Sequence, residues 1–146
     1  MLTLNGERFA SGRSKFLDNH PRFSESTSKV FVKVAFAGLD EAWIAQLDTG
    51  AAYSLLEHDV AMALGLFRLN GLRMRLSTRF GVIHGQLIRL PLTLVADQGD
   101  SLDLEGPFFI SPDWRGGTFL GYTGLLDRLR IALDSPANLF YFGEEG

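Results

Sequence analysis

The chain has 146 residues, 46% of them apolar and 21% charged, which is the size and balance of one globular domain and not of a disordered segment. Fourteen Lys and Arg against 17 Asp and Glu leave a formal charge of −3, so bulk electrostatics give no support for a nucleic-acid partner. The lack of cysteine removes disulfides, zinc–thiolate and iron–sulfur sites and thiol catalysis. No apolar run is long enough to cross a bilayer, and MLTLNGERFASGRSKF lacks the apolar stretch of a secretory signal, so a soluble, cytoplasmic protein without membrane contact is expected.

Residues 1–29 read as a polar leader, partly flexible. Ser11 to Lys29 holds five serines, Gly12, Pro21 and several charges without a sustained apolar period. Ahead of it, Asn5-Gly6 between Leu2-Thr3-Leu4 and Glu7-Arg8-Phe9 predicts a two-residue hairpin. A domain is expected over residues 30–143, followed by a tail at 144–146. Val30, Val32, Val34 and Phe36 alternate, Gly38 to Glu41 turns, and Ala42 to Leu47 returns as a second strand. Leu56, Val60, Ala63 and Leu64 then take helical spacing, with Gly65 at the left-handed position beyond the end and Ser54 and Glu57 at capping-box spacing.

Strand patterns resume at Leu72, where Leu72, Met74 and Leu76 alternate with Arg73, Arg75 and Ser77. Ile88, Leu90, Leu92 and Leu94 follow the same period, and Pro91 marks an edge or a bulge. Gly81 and Gly85 bracket Val82-Ile83-His84 as a hairpin tip. Ser101 to Ile110 and Thr118 to Leu120 predict further strands, and Thr123 precedes a short helical run with Leu125, Leu126 and Leu129. Ile131 to Leu133 and Leu139 to Phe142 end the pattern, joined by Asp134-Ser135-Pro136-Ala137-Asn138. Many short strands with one or two short helices predict a closed or sandwiched all-β domain.

One stretch carries chemistry. Ala45-Gln46-Leu47-Asp48-Thr49-Gly50-Ala51 puts a carboxylate at the end of an apolar strand, where it projects into a cleft while its backbone stays paired. Thr49 supplies a hydroxyl able to brace a neighbouring backbone, and Gly50, without a Cβ, lets its amide approach the carboxylate and a ligand. The same three residue types also suit an ordinary turn.

The segment AQLDTGAAYSLLEHDVAMALGL, with FLGYTGLLDRLRIALD downstream, resembles the single-domain, retroviral-type (retropepsin-like) aspartic proteases, including bacterial relatives, over roughly Val30 to Gly143. The resemblance implies an all-β, closed acid-protease barrel with Asp48 catalytic. Thr49, Gly50, Ala51 and the Gly121 of Phe119-Leu120-Gly121 would support the site. A glycine-bearing flap would span Phe80 to Gly85, and Ala52, Gly81, Val82 and Ile83 would contact substrate. Aspartic-protease chemistry needs two carboxylates sharing a proton. The chain carries one Asp-Thr-Gly and no Asp-Ser-Gly, so a homodimer is implied, acting on a peptide or protein without metal or cofactor. Many retroviral members follow the motif's alanine with an aspartate that pairs with an arginine after the downstream glycine. Here Ala52 and Tyr122 stand in those places.

The remaining features read more simply. His20 and His58 are expected in solvent, and His84 near the flap; the three have no metal-binding spacing. Ser54, His84 and Asp48 could be drawn as a nucleophile triad, but no nucleophile elbow supports it. Arg68, Arg73, Arg75, Arg79 and Arg89 fit the wet face of a hairpin. A non-catalytic peptide- or protein-binding module on the same fold is the alternative to an aspartic endopeptidase.

Overall fold

The computed structural model describes residues 1–78 and 81–144. In chain order the strands are β1 (Thr3–Leu4), β2 (Glu7–Arg8), β3 (Gly12–Lys15), β4 (Phe31–Phe36), β5 (Ala42–Leu47) and β6 (Ser54–Leu55). Helix α1 (His58–Ala63) and a single 3-10 turn (Leu66–Arg68) lead to β7 (Leu72–Thr78), β8 (Gly81–Leu94), β9 (Gln98–Gly99), β10 (Leu102–Ile110) and β11 (Thr118–Leu120). A second 3-10 turn (Leu126–Arg128) precedes β12 (Leu129–Asp134) and β13 (Leu139–Glu144). The expected all-β architecture with short helices is what the chain adopts.

The larger sheet runs β10-β6-β11-β5-β4-β8-β7, and β10 also pairs with β8. That extra pairing closes six strands into a ring and leaves β7 hanging from β8 as a hairpin. The closure is antiparallel and extends from Leu102↔Leu94 to Ile110↔Gln86. Closure removes edges from the six ring strands, and among the described pairings β7 keeps one.

The strands form where the sequence alternates. In β4, Val32, Val34 and Phe36 are buried while Lys33 is exposed, and in β8 Leu90, Leu92 and Leu94 are buried while Arg89 and Pro91 are exposed. These side chains share one core with Phe108, Leu120, Phe140 and Phe142, where Phe36 meets Phe108 edge-on at 6.0 Å between centroids. Pro91 falls between the part of β8 that pairs with β7 and the part that pairs with β4, so the strand lacks a neighbour on that edge there. Helix α1 closes at Gly65, whose φ of 68° is left-handed, as its position predicted.

The start of the chain differs from expectation. Asn5 and Gly6 both have positive φ and join β1 to β2 as predicted. The segment after them is not a loosely held leader over its whole length. Strand β3 lies between β13 and β9 in a four-stranded sheet, with Gly12 opposite Phe142 and Ser14 opposite Phe140. Small residues facing two buried rings make a polar-looking stretch a core strand. Phe16 is buried behind it, and Leu17 bridges to Phe31. Strand β13 therefore has both edges paired within its own chain, by β12 and β3.

Two other expectations are corrected near α1. Ser54 lies in β6, and Glu57 precedes the helix without capping it through its side chain. Glu57, 1% exposed, instead pairs with Arg22 at 2.5 Å and accepts a hydrogen bond from the Thr118 hydroxyl at 3.2 Å. His20, expected in solvent, is 4% exposed; His58 is half-exposed beside Phe67.

Burial raises the pKa of Glu57, opposed in part by Arg22 and Thr118. The folded state thus holds this proton more tightly than the unfolded chain. Its contribution to stability is complete below the unfolded value of 4.5 and is lost as pH rises through the higher folded value. Urea unfolding of the wild type and of Glu57→Gln over roughly pH 4 to 7 should show the difference in stability moving against the wild type as pH increases. A difference that stays constant with pH would contradict this assignment.

Candidate active site

The Asp48 loop leaves β5 at the point where β11 runs parallel beside it, with Thr118, Phe119 and Leu120 opposite Ala45, Gln46 and Leu47. The pairing continues one step further through the Asp48 N–H, which donates to the Leu120 carbonyl at 3.0 Å. Asp48 is half-buried. Its Oδ1 accepts the Gly50 N–H at 2.9 Å, and its carbonyl accepts the Ala51 N–H at 3.2 Å. The carboxylate is thus oriented by its own loop.

The loop after β11 lies against this turn. Tyr122 N–H donates to the Ala51 carbonyl at 2.8 Å, and Thr123 N–H to the Ala52 carbonyl at 2.9 Å. Just before them, Gly121 N–H donates to Ser54 Oγ at 2.9 Å in the interior. A Cβ on Gly121 would stand 2.4 Å from the Tyr53 carbonyl carbon, so only glycine permits this contact. Thr49, whose hydroxyl was expected to brace a neighbouring backbone, is exposed. Within the chain the Ser54 hydroxyl also braces these loops, although its spacing to Glu57 pointed to a helix cap.

Asp48 borders a cleft of about 980 Å³. Gly50, Ala51 and Ala52 line it from the motif loop, and Leu76, Ser77, Thr78 and Ile83 from the β7–β8 hairpin. Of the residues expected to contact substrate, Ala52 and Ile83 are on the lining. Gly81 and Val82 are not, and Val82 is 57% exposed, because alternation along β8 turns it away from the face that carries Ile83. Phe80 of the expected flap and Arg79 of the basic stretch lie outside the described residues. Arg73 and Arg75 are exposed on the hairpin, opposite Gln86 and His84, as a wet face requires. Ser54 is committed to Gly121 in the interior and His84 is exposed on β8, which gives a nucleophile triad no support.

A strand-end aspartate in a closed six-strand ring, pressed against a Leu-Gly loop and faced by a hairpin, can be compared with known structures. A retropepsin-like aspartic protease from Rickettsia conorii superposes with a TM-score of 0.54 at 17% identity, over 90% of this chain and 89% of its own. The retroviral protease-like domain of Ddi1 from Leishmania major gives 0.53 at 20% identity, over 83% of this chain and 98% of its own. The chain has a retropepsin-like fold. No protein-family model matches the sequence, and no curated protein matches it. Among the described residues, no helix of this retropepsin-like domain is long and apolar enough to cross a membrane.

The two-loop contact predicts its own sensitivities. Gly121→Ala should lower unfolding free energy by about 2–3 kcal/mol through backbone overlap. Ser54→Ala should cost roughly 1–2 kcal/mol by leaving the buried Gly121 N–H without an acceptor. Denaturant titration measures both, and wild-type stability in Gly121→Ala would reject the close approach.

Proposed function

We propose that the protein is an aspartic endopeptidase, active as a homodimer, with Asp48 of each subunit forming the catalytic pair. The observation that carries this reading is an oriented, half-buried carboxylate on the wall of a largely apolar cleft, within a retropepsin-like fold. One Asp48 is ionised and takes a proton from a shared water. The water oxygen attacks the peptide carbonyl carbon, and the protonated Asp48 donates toward the carbonyl oxygen. The tetrahedral intermediate collapses as the Asp48 that took the water proton passes it to the nitrogen; the C–N bond breaks, the other Asp48 recovers its proton from the intermediate's hydroxyl, and acid and amine leave. Thr49, Gly50, Ala51 and Gly121 shape the loops around the pair, and Ala52 and Ile83 meet the substrate. Gly81 and Val82 belong to the hairpin, whose movement admits an extended peptide. The water supplies the nucleophile, so the reaction needs no metal or cofactor.

The subunit contact belongs to the loop face. β13 is paired on both edges within the chain, which leaves no place there for a partner's terminal strand. Thr49 and Ala52 are exposed beside Asp48, and Tyr122 is 51% exposed next to Gly121. Ala52 and Tyr122 also replace an ion pair of retroviral members at once, so neither charge is stranded. We place the enzyme in the cytoplasm, since a chain without cysteine needs no oxidising compartment to fold. The same fold and cleft with Asp48 unpaired would make a peptide-binding module.

Hydrolysis of an unstructured peptide library should follow a bell-shaped pH profile and fall to background in Asp48→Asn, with the unfolding midpoint retained. Sedimentation of the active sample should contain dimer. Cleavage that persists in Asp48→Asn rejects the catalytic assignment, and a strictly monomeric, non-hydrolysing protein that binds peptide establishes the module.

A further inference from the structure

The stretch from His20 to Phe23 is a hydrogen-bonded turn against the cleft. His20 Nδ1 accepts the N–H groups of Arg22 at 3.0 Å and Phe23 at 3.3 Å, closing the chain around Pro21. The imidazole meets Phe23 and Phe31 edge-on, with centroids 4.9 and 5.6 Å apart. Burial, with Arg22 nearby, lowers the His20 pKa, which favours the neutral ring that can accept both bonds. The Arg22 guanidinium covers Phe23 and Trp43 at 5.3 and 5.5 Å and pairs with Glu57 and Asp59. On its far side Phe23 abuts the loop before β11, where a Cβ on Gly117 would lie 3.1 Å from its Cδ2.

Phe23 is nevertheless only half-buried, and its remaining surface lines the Asp48 cleft with Phe31, Leu55, Trp114 and Phe119. Arg22 is turned toward Glu57 and Asp59 and is absent from that lining. The turn thus shows the cleft a ring and withholds its charge. A ring already fixed by its surroundings gains contact area with a ligand at little cost in side-chain freedom.

We propose that Phe23 is a specificity-determining residue and that the His20–Phe23 turn is a fixed wall of the cleft, receiving an aromatic or large aliphatic side chain of an extended peptide bound at Asp48. The inference rests on the peptide-cleaving reading for the ligand's class, and it adds the subsite. Lengthening the cleft wall with a segment from before the barrel also explains why Arg22 is held by a buried carboxylate: the pair fixes the position of the neighbouring ring.

The test uses the full chain carrying Asp48→Asn and short fluorescein-labelled Gly/Ser peptides with a single Phe, Leu or Ala, read by fluorescence anisotropy. The Phe peptide should bind more tightly than the Ala peptide. Phe23→Ala should weaken the Phe peptide by about tenfold while changing the Ala peptide little, with Phe23→Leu between the two. Gly117→Ala, which displaces the ring from outside the turn, should also reduce the preference. An unchanged preference in folded Phe23→Ala overturns the proposal, and if that variant fails to fold, an unchanged preference in Gly117→Ala does so. A preference that depends on Phe23 in a protein whose wild type hydrolyses no peptide keeps the subsite and rejects the enzyme. No binding of any peptide by the folded Asp48→Asn chain overturns the subsite, while hydrolysis of the peptide library by the wild type decides the enzyme separately.

Discussion

The site depends on two chain reversals brought into backbone contact. β5 and β11 run parallel, and parallel neighbours must be joined by a long crossover, so Asp48 and Gly121 come from distant parts of the chain. The loop after β11 then donates the Tyr122 and Thr123 N–H groups to the Ala51 and Ala52 carbonyls, with the Gly121 N–H taken by Ser54. This contact holds the Asp48 loop in place, and within that loop the Gly50 N–H orients the carboxylate. The barrel holds the two strands in register, and the register aims the carboxylate.

A second support joins the beginning of the chain to the same loops. Glu57 follows β6, which pairs with β10 and touches β11 through Leu55↔Phe119. Thr118, the first residue of β11, bonds Glu57 through both its backbone N–H and its carboxylate. Arg22 completes the set. A buried carboxylate is a costly element unless each oxygen finds a partner, and here the partners are the strand that leads to Gly121 and the turn that carries Phe23. One acidic side chain thus ties the cleft wall to the loops of Asp48 and Gly121.

Much of this was legible in the sequence where a strand has one apolar and one wet face. The alternations of β4 and β8 met a single core, so period and burial agree, and Gly65 stands where its conformation is needed. Asp48-Thr49-Gly50 was visible because its residue types combine a strand end with a tight turn. The failures share a cause, which is contact at long range. Gly12 and Ser14 look like loop residues, yet they are small because Phe142 and Phe140 lie opposite. Ser54 and Glu57 fit a local cap, but their partners are 67 and 35 residues away. His20 gave no signal in isolation, since its burial requires Phe23 and Phe31. Strand alternation separates Ile83, which faces the cleft, from Val82, which faces away, and that period is present in the sequence.

The length of β8 has a mechanical meaning. Its first half is one arm of the hairpin over the cleft and its second half is a stave of the barrel, with Gln86 and Leu87 paired to β7 and β10 together. No loop separates arm from stave. The hairpin is therefore a cantilever built into the wall, and lifting it bends a continuous strand against the β10 ladder. On the reading proposed above, a peptide passing beneath the hairpin would work against that stiffness, and the same ladder would return the arm to its place.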